Sequence, residues 1–254
     1  MKHNTLDNLF LFLKKPYNQV ETEETSSLYK TKVLLRVFIL IFLALLLYNL
    51  FLAIVIELSD FSGPTHFLEY SIKDNTGSTS KIALFLFVIL TPILEEFIFR
   101  YPLSSLSCNK LSASFALFSS LKITNYFGSI LWHPNNSIFA IASYYIYLIC
   151  ISFLLFYLFK VILFYTLKND IIRKFWNRKF GLIFYTSAIL FACAHNGALN
   201  LTKSAFYTYL LFLFPYFMMG ISLGYIRIKL NLSYAIVLHY LLTIPAILHV
   251  ILSS

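Results

Sequence analysis

Charge is scarce in this chain, and acid scarcer than base: Asp and Glu number 11 in 254 residues, against 20 Lys and Arg. With 12% charged residues the chain is poorly supplied to solvate the surface of a soluble domain. Cysteine is nearly absent. Cys108, Cys150 and Cys193 each stand alone, which excludes a disulfide framework and a CxxC metal pair. No internal repeat, low-complexity tract or HExxH helix is present. A cleavable signal pattern is also missing, because the first long apolar run begins only at Val33 and is long enough to span, so the N-terminus is expected to stay attached. The net charge of +9 does not gather into a basic patch with interleaved aromatics, so no nucleic-acid partner is expected.

Long apolar runs fill the space that charge leaves. Hydrophobic residues make up 59% of the chain, and several runs are long enough to cross about 30 Å of hydrocarbon at about 1.5 Å per residue. The expectation is an all-α, multi-pass transmembrane helical bundle of about seven spanning helices, at 33–58, 81–105, 111–131, 138–167, 180–199, 205–226 and 232–252. Residues 1–32 read as a polar or interfacial N-terminal segment, with Leu9 to Leu13 ahead of Lys14 and Lys15, and 33–254 as the membrane domain. Pro92 is expected to bend the second helix and Pro102 to limit it. The run at 111–131 is the weakest, since it holds Lys122, Thr124 and Asn125. Loops are expected at 59–81, at Trp132 to Asn136, at 168–179, which is strongly basic, and at 200–203. With the N-terminus inside, the only cations on outer segments are Lys73, Lys81 and Lys203; apart from Lys122 and Lys160 within helices, all others fall inside. That asymmetry supports a cell-membrane location with a cytoplasmic N-terminus. A full span at 111–131 is what keeps this parity.

Within that background Glu95-Glu96-Phe97-Ile98-Phe99-Arg100 is conspicuous. A charge at bilayer depth costs a few kcal/mol or more, so three in six residues need a local reason. At about 100° per residue, Glu96 and Arg100 lie on one helix face, one turn apart, and can form an internal ion pair. Glu95 points elsewhere and is left for a neighbouring helix. An unpaired buried carboxylate suits general base or acid work. Of six histidines, His3, His66, His133 and His249 fall in the tail, a loop, a turn and a helix end. His195 and His239 lie inside apolar helices, at depths where a bundle can bring them to the glutamates. Phe191 stands four residues before His195 and can brace it; Thr243 stands four after His239 and sets a hydroxyl beside it. Gly220 and Gly224 would let their helix approach a neighbour closely.

Taken together, Glu95-Glu96-x-x-x-Arg100, Phe191-x-x-x-His195 and His239-x-x-x-Thr243, with Gly220-Ile221-Ser222-Leu223-Gly224-Tyr225 ahead of the last, resemble the ordered motifs of the CPBP family of intramembrane proteases. That family includes the CAAX prenyl endopeptidases and proteins of bacteriocin processing and self-immunity, and the likeness covers roughly 84–247. The resemblance implies hydrolysis of a peptide or protein substrate reached from the lipid bilayer. Glu95, helped by Glu96, would take a proton from a water that His195 and His239 hold directly or through zinc, and Arg100 would be structural. Two histidines and a carboxylate are an ordinary zinc set, with His195 and His239 as its ligands. One position departs: the family has Asn, sometimes Asp, where this chain has Thr243, and threonine lacks the amide's second donor for an oxyanion. Activity would then be reduced, or another donor such as Asn196 would substitute. Two other readings stand beside the protease: a catalytically inactive protein of the same fold that binds or scaffolds a partner, and a proton-coupled transporter using Glu and His as relays.

Overall fold

The computed structural model describes residues 5–17, 26–58, 81–131, 138–167, 170–195 and 206–253. Among these residues the protein is all-helical, with α1 (Thr5–Lys14), α2 (Ser27–Leu58), α3 (Lys81–Phe99), a 3-10 turn (Tyr101–Ser104), α4 (Cys108–Leu131), α5 (Ile138–Leu167), α6 (Asp170–Arg178), α7 (Phe180–Ala194), α8 (Phe206–Lys229) and α9 (Leu232–Ser253). His3, the loop around His66, the turn at Trp132 to Asn136 with His133, Asn196 and the turn at 200–203 lie outside the described residues.

Seven of these helices fall where the apolar runs do. Their ends differ for local reasons. The first long helix starts at Ser27 rather than at Val33, because the Ser26 hydroxyl accepts the Tyr29 N–H at 3.3 Å as an N-cap. Asn231 caps α9 in the same way, its side-chain oxygen accepting from Tyr234 N–H at 3.1 Å. The second helix stops at Phe99, short of 105, because Pro102 supplies no N–H and the chain tightens into the 3-10 turn. The basic stretch at 168–179 is not simply a loop. It contains the short helix α6, whose exposed Arg173 and Lys174 adjoin a half-buried Trp176.

The segment ahead of residue 32 packs on the rest of the chain. Leu9 and Phe12 of α1 are buried in the common core, Phe12 packs edge-on against Phe184 and Tyr225, and the Tyr185 hydroxyl donates to the Leu13 carbonyl. The N-terminal segment is thus held against α7 and α8.

Among the described residues, two helices carry segments long and apolar enough to cross a membrane, Ser27–Ile54 and Ser143–Leu167. Only 11% and 6% of their apolar windows are buried, so neither is the core helix of a globular fold. Leu43, Leu47, Leu50 and Ile54 on α2 and Phe153, Leu154, Leu158 and Val161 on α5 are exposed. The weakly apolar α4 is explained by its partner. Ser112, Ala116, Ser120 and Thr124 form a buried stripe at four-residue spacing, and Ser120 meets Ser152 of α5 at 2.6 Å while Cys108 reaches the Lys160 carbonyl. Those pairings run antiparallel, with small and hydroxyl residues letting the two backbones approach.

Backbone carbonyls at and beside the prolines receive donors from other helices. Pro215 cannot donate to the Leu211 carbonyl, and the Tyr48 hydroxyl of α2 does so at 2.6 Å. Beside the Pro92 break, the Tyr240 hydroxyl of α9 donates to the Ile89 carbonyl. At the end of α3 the hydroxyls of Ser114 and Ser187 donate to the Ile98 and Phe99 carbonyls, and Arg227 Nε to the Arg100 carbonyl. Gly220 and Gly224 set the contact between α8 and α7: a Cβ on Gly224 would come within 2.7 Å of the Phe184 ring.

Ser187→Ala should therefore destabilise the fold by about 1–3 kcal/mol through an unsatisfied carbonyl. Gly224→Ala should cost a similar amount, about 1–3 kcal/mol, through overpacking. Thermal unfolding of the purified protein in detergent checks both, and unchanged midpoints would refute the packing described.

Candidate functional site

The end of α3 delivers its side chains in two directions. Glu96 and Arg100, four residues apart, lie on the buried face with Nη1 and Oε1 3.6 Å apart, and both side chains are 0% exposed. The guanidinium lies over the Phe191 ring of α7, 3.8 Å from its centroid, and Nη2 approaches the Gly220 carbonyl of α8 at 3.5 Å. Glu96 Oε1 also meets His239 Nδ1 of α9 at 3.1 Å. Four helices thereby converge on one buried charge pair.

Glu95, one residue earlier, turns toward both imidazoles. Its Oε2 lies 3.5 Å from His195 Nε2 and 3.5 Å from His239 Nε2. The Glu95 and His195 side chains are 17% and 21% exposed, against 2% for His239, so the site opens on the Glu95–His195 side. His195 itself is the C-cap of α7 rather than an interior residue of a longer helix, its N–H bonded to the Ala192 carbonyl at 3.1 Å. Its ring is held between Phe191, at 4.4 Å, and Tyr216 of α8, stacked at 4.6 Å.

Hydrogen-bond partners fix which nitrogens are available. His195 Nδ1 meets the Phe191 carbonyl at 2.9 Å, and a carbonyl can only accept, so Nδ1 carries the proton. Glu96, ionised against Arg100, likewise accepts from His239 Nδ1. In the neutral rings both Nε2 atoms therefore face Glu95 with lone pairs, and Glu95 Oε2 has no hydrogen-bond partner among the described residues. Three acceptors converge without a donor between them. Such a cluster is stabilised by a proton on one imidazole or by a guest that donates, of which water is the simplest.

The zinc expectation finds its ligand types brought together, His195 Nε2, His239 Nε2 and Glu95 Oε2, but not set as a metal cage. Among the described residues no group of three or more His, Cys, Asp and Glu side chains is gathered so as to hold a metal ion. Thr243 is placed differently from the expectation: its hydroxyl lies 3.1 Å from the His239 and Tyr240 carbonyls of its own helix, so its single proton is engaged with backbone. Asn196, the other donor considered, is outside the described residues. Tyr216 was not singled out from sequence. It falls at four-residue spacing ahead of Gly220 and Gly224, on the stripe that approaches α7, and that spacing was the available signal.

No family model, no curated protein and no solved structure matches this chain. The likeness to CPBP proteases thus rests on the motif residues alone, and any functional reading on the geometry just described.

Removing one member of the sealed pair strands a charge, whereas the Glu95 side chain is part-exposed and has no cation sealed against it. Arg100→Met should accordingly destabilise the protein by about 3–5 kcal/mol. Glu95→Gln should cost less than about 1 kcal/mol. Unfolding midpoints of the two variants in detergent check this ordering, and equal losses would contradict the difference in burial.

Proposed function

We propose that this chain is a multi-pass membrane protein of the CPBP kind and an endopeptidase that hydrolyses a peptide or protein substrate with an activated water. The observation that carries the reading is the meeting of Glu95 with two imidazoles through the nitrogens left unprotonated by their other bonds. A water at the open Glu95–His195 side donates one proton to Glu95 and the other to an Nε2. Glu95 withdraws the first as the oxygen attacks the scissile carbonyl, and returns it to the leaving amine. Glu96, held by Arg100, keeps the His239 tautomer fixed and stabilises the cation that forms if that ring takes a proton.

The oxyanion needs a donor other than Thr243, and we assign the Tyr216 hydroxyl to it, because its ring is stacked on His195 and lies in the electrostatic range of Glu95. The engaged Thr243 also favours the second reading, a catalytically inactive scaffold of the same fold.

Comparison of new peptide N-termini in membranes containing wild-type or variant protein separates the two. Glu95→Gln should lower cleavage about 10²–10⁴-fold, and His195→Ala should abolish the same set of termini with the fold intact. Tyr216→Phe should cost about 10²-fold in kcat, with Thr243→Val nearly neutral. Identical sets of termini in wild type and Glu95→Gln would establish the scaffold instead.

A further inference from the structure

A second cluster of charge lies beside the end of α3, outside the chemistry above. Arg227, near the end of α8 and only 9% exposed, donates from Nη2 to Ser104 Oγ at 2.9 Å and from Nε to the Arg100 carbonyl at 3.3 Å. Lys110, in the first turn of α4, donates to the same Ser104 oxygen at 2.7 Å and to Ser105 Oγ at 2.6 Å. The Tyr101 ring faces both cations, at 5.9 Å from the guanidinium and 5.7 Å from the ammonium. Two full positive charges are thus bound to one hydroxyl oxygen, close enough to repel each other.

Hydroxyls solvate cations without neutralising them. Among the described residues neither Arg227 nor Lys110 is ion-paired with a carboxylate. Glu96 is the acid whose field reaches Arg227, and it is engaged by Arg100 and His239. Donor capacity remains at Arg227 Nη1 and at the third N–H of Lys110. A nearly buried arginine beside a lysine, with donors to spare and no counter-charge, is what an anion with several oxygens requires.

We propose that this recess holds the phosphate of an anionic membrane lipid. The placement selects that source: Arg227 lies just before Lys229 at the end of α8 and Lys110 just after Cys108 at the start of α4, where two apolar helices end and, in the membrane reading, headgroups lie. Further along α4 the Phe115 and Phe118 rings are exposed, apolar surface that acyl chains can cover. Occupancy adds the negative charge that the Arg227–Lys110 pair lacks, and through Arg227 it steadies the Arg100 carbonyl at the end of the α3 helix.

Native mass spectrometry of the full-length protein in detergent, incubated with phosphatidylglycerol or phosphatidylcholine, tests this without reference to any cleavage. One phosphatidylglycerol should be retained in preference to phosphatidylcholine. Retention should fall about tenfold in Lys110→Gln and in Arg227→Gln, and stay unchanged in Arg173→Gln on the exposed face of α6. Lys110 is partly exposed, so its variant keeps the test valid if Arg227→Gln does not fold. Equal retention of the two lipids, or retention unmoved by Lys110→Gln, would overturn the proposal. So would displacement of the lipid by millimolar inorganic phosphate, which assigns the recess to a free anion. Displacement by a short peptide with a free C-terminal carboxylate, but not by its amide, would give the recess to a peptide end and overturn it too.

Discussion

The structure depends on the satisfaction of one helix end. α3 terminates inside the bundle, where Pro102 withholds the N–H that the Ile98 carbonyl would accept and the following 3-10 turn frees the Phe99 carbonyl as well. In an apolar medium each such carbonyl is worth a donor, because no water competes for it. Ser114 of α4 and Ser187 of α7 supply those donors to Ile98 and Phe99, and Arg227 of α8 adds a second donor to the Arg100 carbonyl, which already accepts the Leu103 N–H. Three helices are thereby keyed to the last turn of a fourth. That turn carries Glu95, Glu96 and Arg100, so the bonds that close the backbone also fix the direction of the charged side chains.

The same constraint explains the prolines upstream. Pro92 lies one turn before Glu95, and Tyr240, which donates beside its break, is the residue after His239. A tyrosine hydroxyl thus ties the helix of the acids to the helix of the second imidazole. Pro215 precedes Tyr216, and Tyr48 closes the Leu211 carbonyl on the α2 side while Tyr216 stacks on His195. Breaks in α3 and α8 sit next to the residues whose positions the site needs. The donors that mend them act across helices, and so couple backbone repair to side-chain alignment.

Much of the site was legible because helical spacing is local. The Glu96–Arg100 pair follows from four residues of separation, and the separate direction of Glu95 follows from one. Phe191 under His195 is likewise an i,i+4 relation. The helix positions were legible from runs of apolar residues. What was not legible depends on partners distant in sequence. Ser114, Ser187 and Tyr48 look like ordinary polar residues until the carbonyls they meet are in place, and Leu9 and Phe12 read as membrane-surface residues until Phe184 and Tyr225 are packed against them. Thr243 failed for another reason. Its relation to His239 was read as side chain beside side chain, whereas a threonine in an apolar helix has its own i−4 carbonyl within reach, and here the backbone won.

Adjacent glutamates with one sequence context hold opposite environments, and that contrast gives the site a direction. Glu96 is sealed, with the Arg100 guanidinium on one side and His239 Nδ1 on the other. Glu95 has no cation of its own helix and opens toward the part-exposed His195. Of the two, Glu95 is the one a guest can reach. Glu96 can act only through His239, by holding Nδ1 protonated so that Nε2 stays an acceptor. Exchanging the two environments would turn the sealed carboxylate toward the two Nε2 atoms and bury the other, so the order of these carboxylates, and not merely their presence, sets which of them meets both imidazoles.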